Sequence, residues 1–389
     1  MSFAIRRTRA LTGRTPAVAA DPAIIEAAAT GAWFAFSLSG GKDSSMTAWA
    51  AMEWLDDLGH PRERRIAVHA DLGRAEWRST PAMVEVIARR LEIPLLVVRR
   101  SAGDMVARWE QRFASGKARY EALETYNLIG PWSSSSLRFC TSELKAQVIG
   151  PALARRFAGE TIVSVIGLRR EESPARRFTP VVREDHRFAK PGNRANTRMM
   201  VWHPLVDWRT VDVLAGHDAC GLPLHEAYGC YGSSRLSCAF CVLASAADLG
   251  AATRAQDNHN LYRHLVGIEA ESTFSFQPGR WLADVAPHLL SNALARQIAD
   301  AKHAASERRA LEAGMPSGLR FVKGWPPRVP TRDEGSRIAA ARSVILRRHG
   351  LEDRYPTGAA VRARFDALLT ARNARDRQTG GKEAGLGRA

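Results

Sequence analysis

Short apolar runs alternate along the first half of the chain with segments whose apolar residues recur at helical spacing. The first run is Trp33-Phe34-Ala35-Phe36-Ser37-Leu38, which predicts a buried strand. Between Met46 and Trp54 the apolar residues recur every three or four positions, which predicts a helix. The residues from Ser39 to Ser45 therefore form a turn that joins a strand to a helix.

The same alternation continues after this turn. Buried strands are predicted at 65–73, 94–98 and 161–169, with a fifth strand or edge at 201–208, and helices at 80–91, 103–130, 142–157 and 210–220. Strands that alternate with helices are typical of βαβ units, which build a parallel sheet with right-handed crossovers. The predicted fold class is therefore α/β with a doubly wound parallel sheet. Ligands of such sheets bind at the carboxyl ends of the strands.

The turn has the sequence Ser39-Gly40-Gly41-Lys42-Asp43-Ser44-Ser45. Its glycines allow the backbone to approach a ligand closely, and the free N–H groups of the following helix attract an anion. Serine hydroxyls and the Lys42 ammonium add further donors. The pattern predicts a phosphate-binding loop, with an ordinary Ser/Gly turn as the alternative. It is neither the Walker pattern, because Asp43 separates the Lys-Ser pair, nor the dinucleotide pattern G-x-G-x-x-G.

The second predicted strand ends in Asp71 and Gly73. Because parallel strands end at the same edge of a sheet, we expect both residues to lie near the loop. They are placed to meet the sugar or the metal of a bound nucleotide.

The loop resembles the SGGxDS signature of PP-loop ATP pyrophosphatases, the superfamily that includes the phosphoadenylyl-sulfate (PAPS) reductases. Three further segments resemble elements of that family, in the same order: Arg138-Phe139-Cys140-Thr141 with Lys145; Gly167-Leu168-Arg169 with Glu172, Ser173 and Arg176; and Pro204-Leu205-Val206-Asp207-Trp208 with Asp212-Val213. The resemblance covers roughly residues 30–245. It implies a Rossmann-like PP-loop domain that binds ATP with Mg²⁺.

The residues and the resemblance together assign a nucleotide site. The expected contacts are Ser39, Gly40, Gly41, Lys42, Asp43, Ser44, Ser45, Asp71, Gly73, Arg138, Lys145, Gly167, Arg169 and Glu172. Of these we expect Lys42, Asp43 and Arg169 to be catalytic. Arginine can donate two parallel hydrogen bonds to a phosphate, and Asp43 can orient Lys42 or help to hold Mg²⁺. Solvated surface arginine is the alternative, and it is favoured for Arg176 and Arg177.

The segment Cys230–Cys241 contains a CxxC pair with a third cysteine eight residues upstream. Four thiolates bind zinc or an iron–sulfur cluster, although a redox pair or a chance CxxC also fits. The segment resembles one in DNA phosphorothioation sulfurtransferases, which implies a [4Fe–4S] cluster. The implied ligands are Cys140, Cys230, Cys238 and Cys241, with Cys220 spare. Zn²⁺ is the alternative, with His225 in place of one cysteine. The odd count of five cysteines argues against a disulfide framework.

The chain is strongly basic, with 56 Lys and Arg against 40 Asp and Glu and a net charge of +16. Such a charge indicates an anionic polymer as partner, with codon bias toward arginine as the alternative. Residues 316–372 hold twelve basic and five acidic residues. One predicted helix there carries Arg337, Arg342, Arg347 and Arg348, which we expect to contact the backbone of nucleic acid. The alternative is an amphipathic helix that packs Ile338, Val344 and Ile345 inward.

We expect five segments along the chain. They are a flexible basic arm (1–25), the PP-loop domain with its cysteines (26–250), a helical extension (251–315), a basic helical region that opens with a proline-rich linker (316–372) and a disordered tail (373–389). Residues 174–195 are expected to form a surface insertion. No secretory signal is apparent and no uncharged apolar run reaches ~18 residues, so we expect a cytoplasmic protein without a membrane span.

These observations favour an enzyme that cleaves ATP to AMP and pyrophosphate and adenylates an acceptor for sulfur transfer. The resemblance makes the DNA backbone the favoured acceptor and a cysteine desulfurase the sulfur donor. PAPS reduction is the first alternative, but the 148 residues after Cys241 contain no cysteine, and these reductases usually carry a catalytic cysteine near the C-terminus. A non-catalytic sensor, in which a nucleotide gates DNA binding, is the second.

Overall fold

The chain forms two compact units in the computed structural model, which describes residues 16–322 and 325–385, with side chains as far as residue 377. The first unit comprises Met1–Val106 and Ser134–Leu261, and the second comprises Ala107–Ser133 and Tyr262–Ala389. This division differs from the one expected from sequence, which placed 107–133 with the nucleotide domain. Tyr120, Leu123 and Tyr126 of that segment are buried among the apolar residues of the C-terminal helices.

The first unit alternates strands and helices. Its main elements are α1 (Pro22–Ala29), β1 (Trp33–Ser37), α2 (Lys42–Asp57), β2 (Arg65–Asp71), α3 (Thr80–Leu91), β3 (Leu95–Arg99), α5 (Phe139–Thr141), a π-helical turn (Ser142–Ala146), α6 (Gln147–Arg156), β4 (Thr161–Val165), β5 (Val182–Glu184), β6 (Arg198–Trp202), α7 (Thr210–Cys220), α8 (Glu226–Gly229) and α9 (Ala246–Arg254). The bounds of α3 and α7 agree with those predicted from sequence.

The strands form one six-stranded sheet in the order β3-β2-β1-β4-β6-β5. Every neighbouring pair is parallel except β5 and β6, which are antiparallel. The chain runs outward from β1 to β3 and then returns to β4 on the other side of β1. The strand order therefore reverses between β1 and β4, where doubly wound sheets bind their ligands. The predicted doubly wound α/β fold is confirmed.

Helices cover both faces of the sheet, which explains why its strands read as continuous apolar runs. Successive side chains of β1 point to opposite faces. Phe34 and Phe36 join an apolar cluster that includes residues of α2, α3 and α7, whereas Ala35 joins a cluster with Leu153 of α6. The loop that follows β1 is thus anchored in the core of the unit.

Two strand predictions need correction. The predicted surface insertion at 174–195 contains β5, whose side chains are largely exposed at the sheet edge, so it shows no apolar period. The strand expected at 201–208 is β6, which lies at 198–202. It ends before Pro204, because proline has no backbone N–H to donate to a neighbouring strand.

The predicted flexible arm is also wrong for its described part. The backbone N–H of Ala19 donates to the carbonyl oxygen of Pro204 (2.8 Å), and the carbonyl oxygen of Ala19 accepts from the indole of Trp202 (2.7 Å). The carbonyl oxygen of Ala17 accepts from the indole of Trp208 (3.2 Å). Residues 16–21 are therefore tied to the sheet, and α1 follows at once. Residues 1–15 lie outside the described part of the chain.

The second unit is helical. It holds most of α4 (Met105–Glu121) and of α10 (His259–Ser272), together with α11 (Asn292–Gly314), α12 (Arg332–Arg348) and α13 (Gly358–Gly385). The proline-rich segment expected as a linker supplies Leu319 and Phe321 to the core formed with α12 and α13, so it is part of this unit. The tail expected to be disordered from residue 373 continues α13 to Gly385, and residues 386–389 are not described.

The arginines of α12 do not form one exposed stripe. Arg342 is 1% exposed, and its guanidinium lies 4.1 Å from the ring centre of Tyr120. Arg337 pairs with Asp333, and Arg348 pairs with Asp300. The alternative was an amphipathic helix with three apolar residues packed inward. Ile338 and Ile345 are buried as that alternative requires, whereas Val344 is exposed.

Among the described residues, no helix is both long enough and apolar enough to cross a membrane.

Candidate functional site

The phosphate-binding loop predicted from sequence begins directly after β1. Gly40 has a φ of +73°, which favours glycine, and Gly41 is the N-cap of α2. The 16-residue helix α2 begins at Lys42, four residues before Met46, where the helical apolar spacing begins. Lys42 and Asp43 therefore lie in the first helical turn, where the N–H groups have no acceptor within the helix.

Serine side chains of the loop bond within the loop itself. The Ser44 hydroxyl donates to the carbonyl oxygen of Gly41 (2.9 Å), and the Ser45 hydroxyl donates to the same oxygen (3.1 Å). Ser44 Oγ also accepts the backbone N–H of Ser39 (3.2 Å). These bonds hold the loop in one conformation. The serine hydroxyls therefore stabilise the predicted anion site and are not free donors for an anion.

Lys42 is held in place rather than free to move. Its side chain is 6% exposed, and Nζ lies 3.2 Å from the carbonyl oxygen of Ser234 and 3.3 Å from Asp43 Oδ2. Its backbone carbonyl lies 2.8 Å from Nε2 of His217 in α7. The ammonium is thus positioned at the loop with a carboxylate beside it.

Asp43 is also paired with Arg169, which follows β4. Arg169 Nε donates to Asp43 Oδ1 at 2.7 Å, and the arginine side chain is 4% exposed. Its other nitrogens donate to Glu171 Oε2 (2.7 Å), to the carbonyl oxygen of Trp208 (3.3 Å) and to Thr210 Oγ1 (3.2 Å). The guanidinium expected to bind phosphate directly is therefore engaged in positioning Asp43 and the start of α7.

Gly167 and Glu172 support this arrangement. A Cβ atom at Gly167 would lie 2.9 Å from backbone atoms of Asp43 and Ser44, so only glycine lets the end of β4 approach α2. Glu172 Oε2 accepts the backbone N–H of Arg169 at 2.9 Å and pairs with Arg176. Glu172 and Arg176 thus fix the turn after β4.

A segment from α8 to Leu236 covers the loop. Tyr228 Oη accepts the backbone N–H groups of Lys42 (3.2 Å) and Leu236 (3.0 Å), and Lys42 Nζ lies 5.0 Å from the tyrosine ring centre. Burial raises the pKa of Tyr228 to about 12, so the hydroxyl is protonated at neutral pH. A Cβ atom at Gly41 would lie 3.2 Å from Tyr228 Oη and 3.3 Å from Leu236 Cβ. The absence of a side chain at Gly41 therefore lets the covering segment pack against the turn, in addition to leaving room for a ligand.

Asp248, at the start of α9, holds the covering segment. Its carboxylate accepts the backbone N–H of Ser234 (2.7 Å) and the hydroxyls of Ser233 (3.1 Å) and Ser245 (2.8 Å). These donors, with the Ser234 hydroxyl, lower the pKa of Asp248 against the opposing effect of burial. Because Ser234 also accepts Lys42 Nζ through its carbonyl, Asp248 connects α9 to the loop.

Asp71 and Gly73 lie at the end of β2, on the same sheet edge as the loop, as expected. Asp71 Oδ1 accepts the backbone N–H of Gly73 (2.7 Å), and Oδ2 pairs with Arg99 at 2.5 Å. A Cβ atom at Gly73 would lie 2.5 Å from Asp104 Cβ, and φ there is +66°. The Asp71 carboxylate therefore closes the turn after β2.

The model of the phosphoadenosine phosphosulfate reductase domain matches residues 34–242, more than half of the chain. The chain belongs to the phosphoadenosine phosphosulfate reductase domain family. Among curated proteins no match is found.

Two solved structures are similar to this family member at low sequence identity. One is phosphoadenylyl-sulfate (PAPS) reductase from Candida auris in a phosphate complex, at 12% identity and a TM-score of 0.35, covering 57% of this chain and 98% of that one. The other is Candida glabrata FMN adenylyltransferase with FMN and the ATP analogue AMPCPP, at 14% identity and a TM-score of 0.30, covering 53% and 54%.

Two basic residues taken from the PAPS reductase-like resemblance are not brought to the loop by any described contact. Arg138 is exposed, and its Nε donates to the carbonyl oxygen of Ser135 at 3.3 Å. Lys145 lies in the π-helical turn, where its charge acts on the thiol of Cys238. The helix predicted at 142–157 starts too late, because the helical segment already begins at Phe139.

Three of the four cysteines predicted as cluster ligands influence one another. Burial, followed by the nearby Cys241, raises the pKa of Cys238 to about 12, and Cys140 acts in the same direction. Cys230 is exposed, and all five thiols are free. Within the described ranges no three His, Cys, Asp or Glu side chains are grouped as metal ligands. The cysteines therefore have the right chemistry but not a preformed ligand geometry, and the [4Fe–4S] site stays a prediction.

The zinc alternative with His225 fits less well. His225 Nδ1 accepts the backbone N–H of Ala227 (3.1 Å), and Nε2 lies 3.1 Å from Ser79 Oγ and 3.3 Å from Thr80 Oγ1. Both ring nitrogens are thus engaged, Nδ1 at the start of α8 and Nε2 at the start of α3. Cys220, expected to be spare, ends α7, and burial raises its pKa to about 12.

The sequence reasoning missed Tyr228 and Asp248. Tyr228 lies two residues before Cys230, inside the region of resemblance, but a tyrosine has no signature there. Asp248 follows Ser245 at the three-residue spacing of a capped helix start, which was a usable signal for the helix but not for its link to Lys42.

Proposed function

We propose that this chain is an ATP pyrophosphatase-type sulfurtransferase that adenylates an acceptor, with a DNA backbone phosphate favoured. The observation that carries the proposal is the glycine turn after β1. It leads into the 16-residue α2, whose first turn holds the buried Lys42 and the half-buried Asp43. Such a helix start attracts phosphate through its N–H groups and its dipole.

Each loop residue has a distinct role in this proposal. The N–H groups at the start of α2 bind the phosphates of ATP, and Lys42 offsets the charge that develops on the leaving pyrophosphate. Asp43 keeps the ammonium in place, while Arg169 keeps Asp43 in place. Both Asp43 oxygens already face cations, so Mg²⁺ fits best as part of the incoming ATP complex.

The reaction is two successive displacements followed by a reductive cleavage. An acceptor oxygen attacks the α-phosphorus of ATP, forming a bond to AMP as the bond to pyrophosphate breaks. The outer sulfur of a cysteine desulfurase persulfide then attacks the phosphorus of the activated acceptor, and AMP leaves. The new P–S bond still carries the desulfurase through an S–S bond, and a thiol reductant cleaves that bond to release the sulfurated product and form a disulfide. The predicted cluster, with Zn²⁺ as its alternative, is assigned no step. The net charge of +16 supports an anionic acceptor.

A second candidate is reduction of a sulfonucleotide such as PAPS, and the family match favours it. It requires a thiol to attack the sulfonate sulfur and thioredoxin to regenerate that thiol. The cysteines of this sequence all lie at or before Cys241. Sulfite release from PAPS and thioredoxin would establish this candidate, and ATP binding without turnover would favour the nucleotide-gated sensor.

The deciding experiment uses anaerobically purified chain with ATP and Mg²⁺. AMP and pyrophosphate are measured with and without DNA and a desulfurase-derived persulfide, and sulfite is measured with PAPS and thioredoxin. Lys42→Ala is the inactive control. Iron, sulfide and zinc contents are measured on the same sample. If AMP and pyrophosphate form in none of these mixtures, the proposal is wrong.

A further inference from the structure

A groove of 580 Å³ lies in the first unit, outside the phosphate-binding loop. The end of β3 and the turn after it form one wall, and the π-helical turn with α6 forms the other. Its lining residues are Val98, Arg99, Arg100, Ser101, Ala102, Glu143, Gln147, Val148, Pro151, Ala152 and Arg155. From Glu143 to Arg155 the lining residues recur about every turn, so the groove follows one side of the helical segment for about 18 Å.

The groove is positively charged. It contains three arginines and one acidic residue, Glu143. Arg99 pairs with Asp71, and Arg100 donates to the carbonyl oxygen of Ala102 (2.6 Å), which fixes the turn. Arg155 lies exposed in the last turn of α6. Arginine forks at fixed positions along an open groove suit phosphate oxygens.

The register of the sheet places this groove near the edge of the sheet at which the loop after β1 is expected to bind the nucleotide. Arg99 of β3 lies opposite Asp71 of β2, and β2 lies between β3 and β1. Neighbouring strands are about 4.8 Å apart, so the end of β3 is about 10 Å across the sheet from the strand that carries the loop. A polymer lying in the groove would therefore pass near the expected position of the nucleotide.

We propose that this groove binds the phosphodiester backbone of the acceptor DNA, an inference that rests on the function proposed above. Its length and open form suit an extended polyanion better than a single phosphate. Contacts from Arg99, Arg100 and Arg155 go to backbone phosphates and carry no base preference. The groove fixes where the acceptor lies, whereas the loop after β1 binds ATP.

The test compares Arg155→Glu with Arg89→Glu. Arg89 is an exposed arginine in the last turn of α3, outside the groove, so both variants change the net charge equally. Fluorescence anisotropy with a labelled DNA duplex is measured at several salt concentrations. We expect Arg155→Glu to weaken binding on the order of tenfold and to reduce the slope of log K against log salt by about 1. Arg89→Glu should match the wild type, as should the thermal midpoints of both.

The outcomes separate this inference from the proposed function. Equal affinity and equal salt slope for the two variants would overturn the proposal that the groove binds DNA. Displacement of the DNA by AMP at the same site, or binding of RNA but not DNA, would also overturn it. AMP and pyrophosphate formation without DNA should be unchanged in Arg155→Glu. If the wild type forms no AMP but Arg155→Glu still loses DNA affinity, the groove stands and the pyrophosphatase proposal fails.

Discussion

The hydroxyl oxygen of Tyr228 accepts the backbone N–H of Lys42 at 3.2 Å, although the two residues are 186 positions apart. This N–H belongs to the first turn of α2, where an anion is expected to bind. The tyrosine therefore occupies a donor that a phosphate would use. Through Leu236 it also links the cysteine segment to the loop.

Tyr228→Phe should strengthen ATP binding. The change frees the Lys42 N–H for a phosphate oxygen, and one hydrogen bond contributes about 1 kcal/mol, or about fivefold in the dissociation constant. Isothermal titration calorimetry with a non-hydrolysable ATP analogue measures the effect. Tyr231→Phe is the control, because it removes a nearby tyrosine hydroxyl whose ring lies against Trp77. Weaker binding in Tyr228→Phe would show instead that the hydroxyl contacts the nucleotide.

Arg169→Lys should lower both activity and stability. Lysine keeps the charge but cannot donate hydrogen bonds to Asp43, Glu171 and Thr210 at the same time. Asp43 is then left with a partner that is less firmly held in place. We expect the free energy of unfolding to fall by about 2–3 kcal/mol, because the pair is largely buried. Urea unfolding and AMP formation measure the two effects. Arg170→Lys, the more exposed neighbour, should retain both, and equal losses in the two variants would contradict this role.

Gly167→Ala should destabilise the first unit by about 1–3 kcal/mol, since the new methyl group meets backbone atoms of α2 that cannot move aside. Gly250→Ala is the control: it lies in α9 with no atom within 4 Å of its Cβ position. Thermal unfolding is the measurement. A wild-type midpoint for Gly167→Ala would mean that β4 and α2 approach less closely than described.

Stability should fall with acid through His225. Burial lowers the pKa of His225 below its ordinary 6.5, because the folded chain favours the neutral ring that accepts the Ala227 N–H. The unfolded chain binds the proton first, so stability present above pH 6.5 is lost as the pH falls below it. Urea unfolding at several pH values should show this loss.

His225→Asn separates this effect from other titrations. Asparagine can accept the same N–H at the start of α8 but does not titrate. The variant should therefore be less sensitive to pH than the wild type below about pH 6.5. Parallel pH profiles for the two proteins would exclude His225 as the source.

Thiol reactivity should distinguish the five cysteines. In metal-free chain, Cys230 should react first with iodoacetamide because it is exposed, whereas Cys238 and Cys220 should react slowly because burial raises their pKa to about 12. Peptide mass spectrometry measures the order. In anaerobically purified chain with a cluster, Cys140, Cys230, Cys238 and Cys241 should be protected together. Protection of Cys238 without protection of Cys230 in that sample would contradict the prediction that all four cysteines bind the cluster.

Much of the site could be read from local sequence. Apolar runs and helical spacing predict β1, α3 and α7, and the glycines at the end of β1 predict the anion loop. What was missed depends on distant partners. Tyr228 reaches Lys42 only because α8 lies over the loop, and Arg169 was assigned to phosphate because its pairing with Asp43 joins residues 126 positions apart. Arg342 was expected to contact the backbone of nucleic acid because its partner, Tyr120, lies far away in the sequence, in α4.

The sequence by itself determined the doubly wound fold and the glycine loop after its first strand, because backbone periods and glycine turns act over a few residues. Tertiary structure alone decided which side chains meet at that loop. It turned Arg169 toward Asp43, placed Tyr228 over Lys42 and opened a basic groove beside β3. Those outcomes depend on packing between elements far apart in the chain, where burial and charge pairing select among partners that local sequence leaves equivalent.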